Sequence, residues 1–92
     1  MKPQDEEDAP VPVLFRVDDD GDVTAVFPTL PANPGFWVCY AHVGQHGECS
    51  REWYRTTRPA REPEYAPLKR ELEQIGYRLK VMKRSPSWRA RR

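Results

Sequence analysis

The spacing of the hydrophobic residues changes from β-type alternation to a helical period close to residue 62. Before that point, short apolar-rich runs with β-type alternation are separated by glycine and proline, a pattern typical of β-strands. After it, apolar residues follow the spacing of one face of a helix, at positions Tyr65, Leu68, Leu72 and Ile75. The apolar stripe of such a helix has to be buried against another element. The chain is therefore expected to place one helix on a β-sheet.

The strongest local pattern is a β-hairpin at the start of the β-rich part. The runs VPVLFRV and VTAVFP flank the turn sequence DDDGD. Alternation places the odd-numbered positions from Val11 to Val17 on one face of the first strand, with Leu14 and Arg16 on the other. The turn resembles a calcium loop only superficially, because it lacks the full ligand spacing and the closing glutamate. Calcium binding is not expected.

The run FWVCYAHV, residues 36–43, is apolar on both faces and predicts a central strand. The sequence GQHGECS then predicts a glycine-bearing loop, and REWYRTT a fourth strand that pairs with the third. The extended conformation of residues 37–43 is the assumption on which the predicted site depends, because alternation in a strand decides which side chains share a face.

The last third of the chain predicts a helix and one more strand. The helix begins near Glu62 and ends at Gly76, since glycine is favoured just beyond a helix C-terminus. The sequence YRLKVMKR then alternates, with Tyr77, Leu79 and Val81 inward and basic residues outward. The predicted order is β-β-β-β-α-β. This is an α+β fold with an antiparallel sheet of four to five strands, one helix on one face, and the other face partly open.

Composition divides the chain into three parts. Residues 1–10 are expected to form a disordered acidic leader, residues 11–84 a single domain, and residues 85–92 a flexible basic tail. No apolar run approaches the roughly 18 residues that span a membrane, and the N-terminus lacks the apolar segment of a secretory signal. Two cysteines without an export signal predict a cytoplasmic protein with free thiols and no membrane partner.

Two segments, AHVGQHGE and TTRPAREPEYAPLKRELEQIGYRLKVMKR, together resemble a group of small uncharacterised proteins from bacterial genomes, phages and mobile elements. The shared features are a His-x-Gly-Gln-His-Gly element, a Thr-x-Pro-Ala segment, an EYxxL…EL…IGY helix and an LKVxKR strand. The resemblance covers roughly residues 13–84. It implies a protein of phage or mobile-element type, and it brings no catalytic residue with it. Cys39 and Cys49 depart from the group's pattern, and Arg61 stands where a better helix-capping residue is usual.

The spacing C-x2-H-x3-H-x2-C, formed by Cys39, His42, His46 and Cys49, raises the alternative of a structural zinc site. A strand would point Cys39 and His42 to opposite faces, and the C-x2-C pattern common in zinc sites is absent. A catalytic Cys–His pair is also disfavoured, because a cysteine in mid-strand is most often a small buried hydrophobe. No metal, no cofactor and no enzymatic activity are therefore expected.

Polar side chains around the predicted turn offer two interpretations. In one, they only satisfy the backbone groups of an irregular loop. In the other, which we take as the leading hypothesis, they line the rim of a site for a small ligand or a protein partner, formed by Tyr40, His42, Gln45 and His46. The chain would then be a non-catalytic binding or interaction module.

The alternative function is nucleic-acid binding on the outer face of the last strand. An aromatic residue and several cations would stack bases and neutralise phosphates; the candidates are Trp53, Arg55, Arg78, Lys80 and Arg84. The competing interpretation is that these cations only keep an edge strand soluble. An exposed sheet edge also leaves dimerisation by strand addition open.

Overall fold

The computed structural model describes residues 10–41 and 45–84, and these residues form an α+β fold as the sequence predicted. The strands are β1 (Val11–Val17), β2 (Val23–Phe27), β3 (Phe36–Ala41), β4 (Gln45–Ser50), β5 (Arg58–Pro59) and β6 (Leu79–Val81). The helices are α1 (Arg51–Arg55) and α2 (Glu62–Ile75). The predicted basic tail, all but Pro10 of the predicted leader, and His42 lie outside the described residues.

One six-stranded sheet organises the fold, in the order β4-β3-β2-β1-β5, with β6 also paired to β1. The first four strands are antiparallel neighbours, whereas β6 runs parallel to β1. Strands β5 and β6 share one edge of β1. The carbonyls of Val13 and Phe15, two residues apart, accept from Met82 at 2.9 Å and from Ala60 at 2.8 Å. Strand β1 is therefore an interior strand, paired on both sides, while β4 pairs only with β3 among the described residues.

The first hairpin is confirmed, and its acidic turn is closed by its own side chain. The carboxylate of Asp18 accepts hydrogen bonds from the backbone N–H groups of Asp20 and Asp22, at 2.9 and 3.0 Å. Gly21 takes φ 86°, which favours glycine. Carboxylate oxygens of Asp18, Asp20 and Asp22 lie within 4.8 Å of one another. Because Asp18 already binds two backbone groups, local turn formation accounts for these acids.

Helix α2 covers one face of the sheet, which we call the α2 face. It ends at Gly76, whose φ of 125° stops the helix, and its first turn is held by Glu64, which accepts from the backbone N–H of Arg61 at 2.8 Å. The ring of Tyr65 stacks on Phe15 with centroids 4.4 Å apart. The core on this face consists of buried residues from the sheet and the helix: Val13, Phe15, Ala25, Phe27, Tyr40, Leu68 and Leu72.

The structure corrects two adjacent predictions. The predicted loop GQHGECS contains strand β4, and the predicted strand REWYRTT contains helix α1. The Ser50 hydroxyl accepts from the backbone N–H of Trp53 at 3.1 Å and so starts the helix directly after the strand. Hydroxyls of Thr56 and Thr57 bond the carbonyls of Trp53 and Tyr54, both at 2.6 Å, and end it. Tertiary burial of Tyr54 thus overrides the β-propensity of this segment.

Because α1 folds back over the sheet, part of the second face is covered; we call it the α1 face. Tyr54 is buried there with Leu14, Val26, Trp37 and Cys49. The Arg16 guanidinium lies 4.2 Å from the centre of the Tyr54 ring, and it also donates to the hydroxyl and the carbonyl of Thr57, each at 2.8 Å. These contacts fix α1 and the following segment on the sheet. No helix among the described residues is long and apolar enough to span a membrane.

Candidate binding site on the second hairpin

The hairpin of β3 and β4 places two different sets of side chains on the two faces of the sheet. Tyr40 pairs with His46, and both rings lie on the α2 face. Trp37 pairs with Cys49, and both pack on the α1 face together with Cys39. The expected extension of the third strand is confirmed for residues 36–41, and its alternation holds.

The predicted ligand-binding residues are divided by the structure. Tyr40 is 1% exposed, and its hydroxyl donates to Glu71 Oε2 on α2 at 2.5 Å, so it belongs to the core. His46 is exposed, packs edge-on against the Tyr40 ring with centroids 4.5 Å apart, and lies 3.5 Å from the hydroxyl of Tyr77. Gln45 pairs with Ala41 through the backbone. The side chain of Gln45 and all of His42 lie outside the described part of the structure.

A cavity of about 510 Å³ lies beside the hairpin, and we call it the hairpin cavity. It is lined by residues of β2, the β3–β4 hairpin and α1. The α1-face positions are Thr24, Cys39, Ala41, Gly47 and Cys49, and the remaining lining residues are Phe36, His46, Glu48, Ser50 and Trp53. Gly47 is central to it. A Cβ atom added at Gly47 would meet nothing within 4 Å, so the missing side chain leaves space directly opposite Cys39. Sequence reasoning interpreted Gly47 as a loop residue and therefore missed this cavity.

Helix α1 supplies the aromatic wall of the cavity. Because Ser50 caps the helix immediately after β4, Trp53 is carried back over the strand and is half-buried against Cys49 and its neighbours. The signal in the sequence was a serine followed two residues later by Glu52, a combination that suits the first turn of a helix. The β-favouring residues of REWYRTT, which are Trp53, Tyr54, Thr56 and Thr57, concealed it.

The two cysteines are free thiols that interact with each other across β3 and β4. Their hydrogen bond raises the pKa of Cys49, and burial adds to this effect. The same hydrogen bond lowers the pKa of Cys39, against the opposing effect of burial. Cys39 and Cys49 therefore act on each other directly, from neighbouring strands.

The structure describes three of the four residues of the alternative zinc site, and it does not bring their ligand atoms to one place. Cys39 and Cys49 lie on the α1 face, whereas the His46 ring lies on the α2 face against Tyr40. A single zinc ion therefore cannot bind all three side chains unless the strand is broken. The same separation keeps the His46 imidazole away from both sulfurs, so no thiolate–imidazolium pair forms between them.

The predicted nucleic-acid set lies on two separate elements. Trp53 and Arg55 are on α1 rather than on a strand, and Trp53 is half-buried. Arg78, Lys80 and Arg84 are exposed along β6 and next to it, at the β1 side of the sheet and therefore away from β4. Lys80 alternates with the inward-facing Leu79 and Val81, which confirms the predicted positions of these three residues. Met82 was also predicted to face outward, and this is wrong, because it packs against the core of the α1 face.

Comparison with known proteins finds no matching family model, no similar curated protein and no similar solved structure. The resemblance noted from the sequence therefore stays a prediction. The geometry of the second hairpin is the basis for assigning a function.

Proposed function

We propose that this chain is a non-catalytic binding module whose ligand site is the hairpin cavity. The observation that carries the proposal is the space of about 510 Å³ beside Gly47, between the thiol of Cys39 and the half-buried ring of Trp53. Small-molecule sites in proteins commonly have volumes of about 300–1,000 Å³, with apolar walls and few polar groups. The functional surface is thus on the hairpin that the sequence indicated, but on its α1 face.

The lining favours a small planar ligand that is mostly apolar. The Trp53 ring offers a flat surface for stacking, while Ala41 and Cys39 supply a low apolar floor. Thr24 is 9% exposed and supplies a hydroxyl at the edge of that floor. One hydrogen bond and one stacking contact are enough to orient a ring system.

Binding rather than catalysis is supported by the distribution of reactive groups. Acid–base or nucleophilic catalysis needs a nucleophile and a base within hydrogen-bonding reach. Here the thiols of Cys39 and Cys49 contact each other, while the His46 ring contacts Tyr40 and Tyr77 on the other side of the sheet. The described residues of the cavity therefore provide contact surface without an activated nucleophile–base pair.

Chemical-shift perturbation by planar bicyclic probes, such as indole, quinoline and 2-naphthol, tests the proposal. We expect shifts at the amides of Thr24, Cys39 and Gly47 and at the indole N–H of Trp53. The variant Gly47→Leu should abolish these shifts while keeping the fold, because the added side chain meets open space. The control Ile75→Ala, at an exposed position of α2 that does not line the cavity, should keep them. A set of probes that shifts none of these groups, or shifts that persist in Gly47→Leu, would overturn the proposal.

Nucleic-acid binding is a second candidate, favoured by one observation. Lys80, Lys83 and Arg84 are exposed together, and none makes an ion pair with a described residue. Binding of single-stranded DNA should then weaken steeply with added salt and be lost when Lys80 and Arg84 are both replaced by Gln. The control Lys69→Gln, at a cation that is paired with Glu73, should leave the affinity unchanged. Salt-independent binding would exclude this candidate.

A further inference from the structure

We propose that Cys39 and Cys49 form a two-thiolate site for a soft, thiophilic d¹⁰ ion, with Cu(I) as the type case. This inference goes beyond the proposed function, because it assigns an inorganic ligand to the sulfurs rather than an organic one to the walls of the hairpin cavity. It depends on three features: the register of the two cysteines, the open space around them, and the nature of the donors nearby.

The register places both sulfurs on the same face at diagonal positions of neighbouring antiparallel strands. Cys49 stands opposite Trp37, and Cys39 stands opposite Gly47. Because glycine has no side chain, nothing from β4 separates the thiol of Cys39 from that of Cys49, and the two thiols are hydrogen-bonded to each other. The pair is thus formed by the fold itself and needs no rearrangement of the strands.

The diagonal geometry favours an ion over a disulfide. Diagonal neighbours in an antiparallel pair have Cα atoms roughly 7–8 Å apart. A disulfide needs Cα atoms about 4.4–6.8 Å apart, and beyond about 7 Å the backbone has to move. Two metal–sulfur bonds of about 2.3 Å each reach across a wider gap than one sulfur–sulfur bond of about 2.05 Å. Cys39 and Cys49 therefore suit a bridging ion.

The donors around the pair select the kind of ion. Thiolate ligands favour Cu(I) and related soft ions, whereas structural zinc needs four ligands. The His46 ring lies on the α2 face, and the Glu48 carboxylate accepts from the backbone and the side-chain amide of Asn33, at 3.1 and 3.0 Å. Both side chains are thus engaged in contacts of their own, and binding by two sulfurs does not require either of them. Two-coordinate binding is characteristic of monovalent d¹⁰ ions, and Cys39 opens to the cavity, which provides a path of entry.

An anaerobic titration with Cu(I), in competition with the chelator bathocuproine disulfonate, tests the site. We expect one ion bound per chain, with affinity reduced about a hundredfold or more in Cys39→Ser, since that variant loses one of two metal–sulfur bonds. The control His46→Ala should retain the affinity of the unmodified chain. Undiminished Cu(I) binding in Cys39→Ser, or more than one ion bound per chain with equal affinity, would overturn the proposal.

Two further measurements keep the test decisive. Because Cys49 is buried, Cys49→Ser can lose its fold, so X-ray absorption at the copper edge of the unmodified chain provides the second readout. Two sulfur neighbours support the site, and an imidazole nitrogen in the coordination sphere contradicts it. Probe binding and Cu(I) binding, both measured on the unmodified chain, separate the two proposals. Binding of the organic probes without Cu(I) binding leaves the proposed function standing, and Cu(I) binding without probe binding leaves only the thiolate site.

Discussion

The hydroxyl of Tyr40 on β3 donates a hydrogen bond to the carboxylate of Glu71 on α2 at 2.5 Å, inside a core where Tyr40 is 1% exposed. This bond joins strand β3 of the sheet to helix α2. It also explains why Tyr40, which we predicted to line a ligand site, belongs to the core, since a buried phenol needs a partner for its hydroxyl.

Removing that hydroxyl should destabilise the fold. We expect Tyr40→Phe to lower the free energy of unfolding by about 1–2 kcal/mol, because a charge-assisted hydrogen bond inside the core is lost. Urea denaturation followed by circular dichroism measures the change. The matched control is Tyr77→Phe, whose hydroxyl lies 3.5 Å from His46 at an exposed site and should contribute much less. Equal effects of the two substitutions would contradict the assignment.

Shortening the apolar side chains on the predicted face of α2 should lower the free energy of unfolding at a buried position and change it little at an exposed one. Leu72 is 0% exposed, so we expect Leu72→Ala to cost about 2–5 kcal/mol of the free energy of unfolding, from lost burial and the cavity left behind. Ile75 belongs to the same predicted stripe but is 53% exposed, and Ile75→Ala should change stability by less than about 1 kcal/mol. Urea denaturation of both variants checks this. A large loss at Ile75 would show that its side chain is covered in solution.

Replacement of Arg16 should loosen the covering of the α1 face. In Arg16→Lys the planar contact with Tyr54 and the paired bonds to Thr57 are both lost, and we expect a decrease of about 1–2 kcal/mol in the free energy of unfolding. The control is Arg55→Lys, at an exposed position of α1, the helix that also carries Tyr54. Hydrogen exchange should also become faster at the amides of Thr56 and Thr57. Unchanged exchange there would argue against this role of Arg16.

Acid should weaken the contact between β5 and the start of α2. The Arg58 guanidinium donates to both carboxylate oxygens of Glu64, at 3.0 and 2.7 Å, and it lowers the pKa of Glu64 to about 2. Because the folded-state pKa is depressed, the stabilisation is present above the unfolded-state value near 4.5 and is lost as pH falls towards 2.

The variant Glu64→Gln measures this effect. Its melting temperature should lie below that of the unmodified chain at pH 7, and the difference should shrink between about pH 4.5 and pH 2. The control Glu73→Gln removes the carboxylate of an exposed pair with Lys69 within one helix. A difference at Glu64 that stays constant over this range would show that the carboxylate charge is not responsible.

Much of the fold followed from local patterns. The first hairpin, the extent of α2 and its end at Gly76, and the inward positions of the last strand were all predicted, because alternation and helical spacing report directly on burial. The candidate site was predicted less well. The hairpin was indicated, but the hairpin cavity and the role of Trp53 depend on how α1 folds back after Ser50, which no spacing reveals.

The sequence by itself determined the class of fold. Its hydrophobic residues alternate up to about residue 62, follow a helical period to Ile75 and alternate again from Tyr77, and each spacing is typical of one kind of element. Only the tertiary structure decided where β4 ends and α1 begins, since a short capped helix and a short strand have similar local preferences and the burial of Tyr54 selects between them. It also decided that Cys39 and Cys49 face one side and His46 the other, because that separation depends on the register between two strands.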